Sequence, residues 1–141
     1  MARAAKREGS LEALTQYVHA EIDESGLPDA SATLLRDVFD RAGAALISVA
    51  ECGCDESVRQ AASALYHATT AAFMACEAAQ VSRSASDYRR LALAHLIVRH
   101  KLLPRDPLAL DERDENADAL QEIVNEQPLA LAAAMQLLPA Q

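Results

Sequence analysis

Six alanines, Ala61, Ala64, Ala68, Ala71, Ala75 and Ala78, recur at alternating spacings of three and four residues. Residues so spaced share one face of an α-helix, and here they make a stripe of methyl groups along a single rod. Such a stripe lets a neighbouring helix approach to the lower end of the ~8–10 Å range of helix separations. Leu65, Thr69, Phe73 and Cys76 flank it and supply bulk. The helix is predicted to start from Asp55 as cap, with Glu56 in its first turn, and to reach about Val81. Its expected place is the centre of a tightly packed bundle. Composition agrees: hydrophobic residues make up 51% of the 141, the excess being mainly alanine, with only four Gly, five Pro and no Trp. Ala and Leu enter helices at little cost, whereas sheets favour the β-branched and aromatic residues that are sparse here. The expected fold class is all-α.

Other segments fit around that rod. Ser10 is placed to cap a first helix, on which Leu11, Leu14, Val18 and Ile22 share a face. Ser25-Gly26-Leu27-Pro28 breaks it, with Gly26 suited to a left-handed cap. A second helix begins at Asp29 or Ser31, carries Leu34, Leu35, Val38, Phe39, Ala42, Ala45, Leu46 and Val49 as its apolar stripe, and ends at Gly53. A fourth, capped by Ser86 or Asp87, runs to Pro104 and is apolar nearly all round, the mark of burial on several sides. Beyond the charged connection 111–116, a short helix around Ala117–Val124 and a last one from Leu129 to Leu138, opened by Pro128, complete the chain. The architecture expected is an up-and-down four-helix bundle with a short C-terminal helical hairpin. Residues 1–9 are read as a flexible tail and 10–141 as a single domain.

Charge narrows the function classes. The net charge is −8, which argues against a nucleic-acid binder, because phosphates demand a basic face. No apolar run approaches the ~18–20 residues needed to span a bilayer. Basic residues at the N-terminus have no apolar stretch behind them, so no secretory signal is expected. With three cysteines, Cys52, Cys54 and Cys76, the expectation is a cytoplasmic protein with reduced thiols.

Chemistry-bearing motifs are weak. Cys52-Gly53-Cys54 lacks the second pair that a zinc site requires, and a helix–helix turn accounts for Gly53 alone. An oxidation-prone thiol is the alternative. His19, His67, His95 and His100 form no HxxxH, HExxH or ExxH pattern, and satisfied structural histidines are expected. No glycine-rich phosphate loop is present. No paired acid and base or activated nucleophile stands out, so neither an enzyme nor a resident cofactor or metal is expected. Charge distribution says more. Residues 83–105 hold six bases against one acid, net +5, and residues 106–126 hold eight acids against one base, net −7. Arg89, Arg90, Arg99 and Lys101 are therefore the candidate contacts to an anion or a partner. The competing reading has the acidic block fold back and neutralise the basic helix.

The stretch AASALYHATTAAFMACEAAQVSRSASDYRRLALAHLIVRHKLLPRDPLAL, from Ala61 to Leu110, resembles the extra helical domain that follows the core in some acyl-CoA dehydrogenases. There an alanine-rich helix packs on one that begins near a tyrosine and ends in Leu-Pro; Tyr88, Arg89, Leu102, Leu103 and Pro104 are the matching positions. The match covers about a third of the chain and is a packing pattern. It implies no catalytic residue, since the family's glutamate base and flavin belong to a core several hundred residues long. What it does imply is an interaction or oligomerisation module, as a homodimer or beside a dehydrogenase-like partner. The alternative is a bundle that binds a small acyl or anionic amphiphile between its helices.

Overall fold

The computed structural model describes residues 9–53, 55–104, 117–125 and 127–139. Residues 1–8 of the expected tail 1–9 lie outside them, as do the charged connection and Cys54. Among the described residues all regular structure is helical: α1 (Ser10–Ser25), α2 (Asp29–Cys52), α3 (Asp55–Ala85), α4 (Arg89–Ile97), a π-helical turn (Val98–Leu102), α5 (Ala117–Val124) and α6 (Leu131–Gln136). The fold is an all-α helical bundle. No helix of the described residues is long and apolar enough to cross a membrane.

Cross-helix pairs give the directions. Asp23 pairs with Arg36 and His19 with Asp40, so α2 runs back along α1. Tyr17 meets Phe73, and Ser25 meets Arg83, so α3 runs parallel to α1. Glu77 pairs with Arg90, which turns α4 back again. The first four helices therefore alternate up and down. As exposed pairs these ion contacts add little stability; the core is apolar. It is built from Val18 and Ile22 of α1, Leu34, Leu35, Val38 and Phe39 of α2, and Leu91 and Val98 beyond α3.

α3 packs against α1, α2 and α4 and is the central rod. Ala61, Ala68, Ala71, Ala75 and Ala78 of its stripe are buried, and Ala64 is half-buried. It runs one turn beyond Val81. Ser82 and Ser84, poor helix formers, donate their hydroxyls to the carbonyls of Ala79 and Val81 at 3.0 Å each, so both hydroxyls are satisfied within the helix. Ser86, in the left-handed region at φ 52°, ends it. Arg83 in this added turn donates to the Ser25 carbonyl at 3.0 Å, filling an acceptor that the end of α1 leaves unpaired.

Helix ends depart from expectation in three more places. Gly9 at φ 61°, not Ser10, precedes α1, and no side chain caps it. The fourth helix is regular only to Ile97, and its last five residues widen into a π turn closed by Leu103 N–H on the Val98 carbonyl at 3.1 Å. The last helix begins at Leu131 and not at Leu129. Both backbone groups of Leu129 are engaged elsewhere: its N–H donates to the Asp87 carboxylate at 3.1 Å, and its carbonyl accepts from Tyr88 N–H at 3.0 Å. A residue fixed in this way has neither group left for a helical ladder.

Candidate functional site

Three polar arrangements stand out from the alanine-rich framework. The first is a clamp at the start of α4. Asp87 accepts from Arg89 N–H and from Leu129 N–H, both at 3.1 Å. These bonds to the charged carboxylate hold its pKa below the usual value, the Leu129 bond contributing most. Arg89 extends the clamp, donating through Nη2 to the carbonyls of Asn125 and Gln127 at 2.7 Å each. Arg89 is thus a fastener of the C-terminal segment, and Arg90 is occupied by Glu77 of α3.

The second is a surface groove of about 510 Å³ between the first half of α3 and the π turn. Glu56, Arg59, Gln60, Ser63, His67 and Lys101 line it, with Ala64 and Leu102 as its apolar members. Neither Arg59 nor Lys101 forms an ion pair among the described residues. Of the four basic residues singled out by sequence, Lys101 alone reaches this groove, and Arg99 is half-buried in the π turn without an ion pair among the described residues. Arg59 and His67 lie on α3, outside the basic stretch, so counting charge along the chain did not find them. Much of the acidic block 106–126 lies outside the described residues. Its described part meets the basic stretch through the Asn125 carbonyl on Arg89.

The third is internal. His95 is wholly buried, with Nε2 3.0 Å from Ser31 Oγ and Nδ1 3.0 Å from the Ala134 carbonyl. Ser31, also wholly buried, lies 3.4 Å from the sulfur of Met135. Burial depresses the histidine pKa, and the hydrogen bond to Ala134 opposes this more weakly. A Ser–His pair is the beginning of a nucleophilic site, but both groups are sealed from solvent here, and they join α2, α4 and α6. This fits the expectation of a satisfied structural histidine.

Cys52 is disulfide-bonded, which corrects the expectation of reduced thiols throughout. Cys76 is a free, buried thiol whose pKa is raised by desolvation. Among the described residues no three His, Cys, Asp or Glu side chains are grouped to hold a metal ion. Compared with known proteins, the chain matches no protein-family model, no curated protein and no solved structure.

Proposed function

We propose that the chain is a non-catalytic interaction module that self-associates through the outward face of α3. The supporting observation is the stripe Arg59, Ser63, Tyr66, Thr70, Phe73, Glu77, spaced four and three apart along one face of that helix. Tyr66 is 66% exposed and Tyr17, whose ring lies 6.0 Å from Phe73, is 54% exposed. The Thr70 hydroxyl donates to the Tyr66 carbonyl at 2.8 Å, so it needs no hydrogen-bond partner from a second copy. An apolar middle with a base at one end and an acid at the other is self-complementary under a two-fold axis. Turned about the level of Ala68, Tyr66 meets Thr70 of a second copy, and Arg59 comes beside its Glu77, which also pairs with Arg90 of its own chain. The resemblance of Ala61–Leu110 to the terminal domain of acyl-CoA dehydrogenases points the same way, and a dehydrogenase-like protein is the second partner it implies.

Sedimentation or light scattering tests this directly. The native chain should dimerise, and Tyr66→Glu should weaken the dimer by about 30-fold or more, the loss of a central aromatic anchor worth ~2 kcal/mol. A native protein that stays monomeric at every accessible concentration ends the proposal.

The groove favours a second reading, the binding of an anionic amphiphile, with Arg59 and Lys101 meeting the head and Ala64 and Leu102 the first carbons of the tail. Saturation with a CoA ester or fatty acid at about 100 times its Kd should stabilise the fold by ~2.7 kcal/mol, and Lys101→Glu should abolish the effect. The absence of any thermal shift with these ligands removes the reading.

A further inference from the structure

We propose that His95 is a proton-operated latch: on taking up a proton it frees α6 from the bundle, while α1 to α4 stay folded. The hydrogen-bond directions come first. A carbonyl only accepts, so Nδ1 carries a hydrogen toward Ala134, and the neutral ring takes the Ser31 hydroxyl hydrogen on Nε2. A second ring proton must sit on Nε2. It turns the Ser31 hydroxyl toward the Met135 sulfur, 3.4 Å away, and places a full positive charge where no water reaches.

Among the described residues nothing around the ring balances that charge. From α2 the group facing it is Ser31; Asp29 at the start of that helix is exposed, and Arg36 is paired with Asp23. The buried side chains of α3 are alanines and Cys76, whose thiol lies toward Ser25 of α1, and its Glu77 is exposed and paired with Arg90. Residues 127–139 contain no ionisable side chain. On its own helix and the π turn that follows, the charged side chains are Arg89, Arg90, Arg99 and Lys101, all cations. The imidazolium is therefore stable only where the ring meets solvent.

The element that yields is the one least able to hold. α6 is six residues long, too short to be stable unpacked, whereas α4 is bound along α3. The Asp87 and Arg89 clamp at 125–129 lies on the near side of α6, and Asp87, with its pKa lowered, stays ionised throughout the range in which histidine titrates. Leu129 is then the pivot. The docked state binds the proton less readily than the free one, so docking is complete above about pH 6.5 and weakens as pH falls below it.

Hydrogen exchange followed by NMR between about pH 7.5 and 4.5 tests the latch, with the His95 ring signals recorded alongside. The reporters are the amides of Ala134, Leu137 and Leu138, which are bonded within the α6 turn. Below pH 6.5 their opening should increase up to tenfold per pH unit, the slope for one linked proton, while the α3 amides keep their protection. In His95→Asn the amide N–H is placed to keep the Ala134 bond but does not titrate, and the slope should vanish. Should that variant not fold, native His95 titration and native α6 protection decide between them. The proposal is overturned if α6 stays protected once His95 is charged, or if α3 opens together with α6.

Discussion

Ala71→Leu and Ala75→Leu should each lower the stability of the fold by about 3 kcal/mol, the upper part of the range for overpacking a well-filled core. Both alanines are wholly buried on α3, the helix against which α1, α2 and α4 all pack. Leucine forms helices almost as readily as alanine, so the loss comes from packing and not from the helix itself. Three extra carbons at such a seam must push a neighbouring helix outward. For a domain of this size the loss corresponds to a fall in Tm of roughly 10 °C. Gln80→Leu, on the exposed face of the same helix, is the control and should change stability by no more than about 0.5 kcal/mol. If calorimetry finds Ala71→Leu melting with the native protein, the methyl seam does not set the spacing of the bundle.

That seam is also what made the fold legible in the sequence. Spacings of three and four place Ala61 to Ala78, and Leu34 to Leu46 on α2, on single faces whatever the tertiary context, and turns at Gly26 and Gly53 need only the left-handed backbone that glycine tolerates. What was not legible depended on contacts between distant residues. The shortened last helix follows from the hold that Asp87 and Tyr88 take on Leu129, about forty residues away along the chain. The extra turn of α3 goes with the bond from Arg83 to the distant Ser25 carbonyl, and the π turn after Ile97 has no signature in its residues.

The site divides in the same way. Counting charge found a basic stretch, but charge does not say where a guanidinium ends up. Backbone carbonyls of 125 and 127 took Arg89, Glu77 took Arg90, and Lys101 came to lie with Arg59 from a different helix. Ser31 carried no signal, because a serine near a helix start reads as a cap. Its partner His95 is sixty-four residues away, and the bond between them is a product of the whole fold.

Phe39→Ala should be the most damaging single truncation, at about 5 kcal/mol, the top of the usual range for losing a buried aromatic. The cost of such a cavity depends on how far neighbouring side chains collapse into it. Phe39 is the largest of the fully buried side chains, with the His19 ring 6.3 Å from its own. Much of the core that surrounds it is alanine, which has no rotamer with which to fill a void. Leu35 and Val38 sit on the same helix, so they move inward only if α2 itself does. The hole therefore stays largely open, and its lining loses dispersion contacts outright. Against a total stability of roughly 5–15 kcal/mol, a loss of this size leaves the chain marginal or unfolded at physiological temperature. Denaturant titration should show a large fall in midpoint with an unchanged slope. Phe39→Leu, which restores most of the volume, should recover more than half of the loss. A Phe39→Ala midpoint close to native would mean that the alanine-rich core closes over cavities, which rigid methyl packing does not allow.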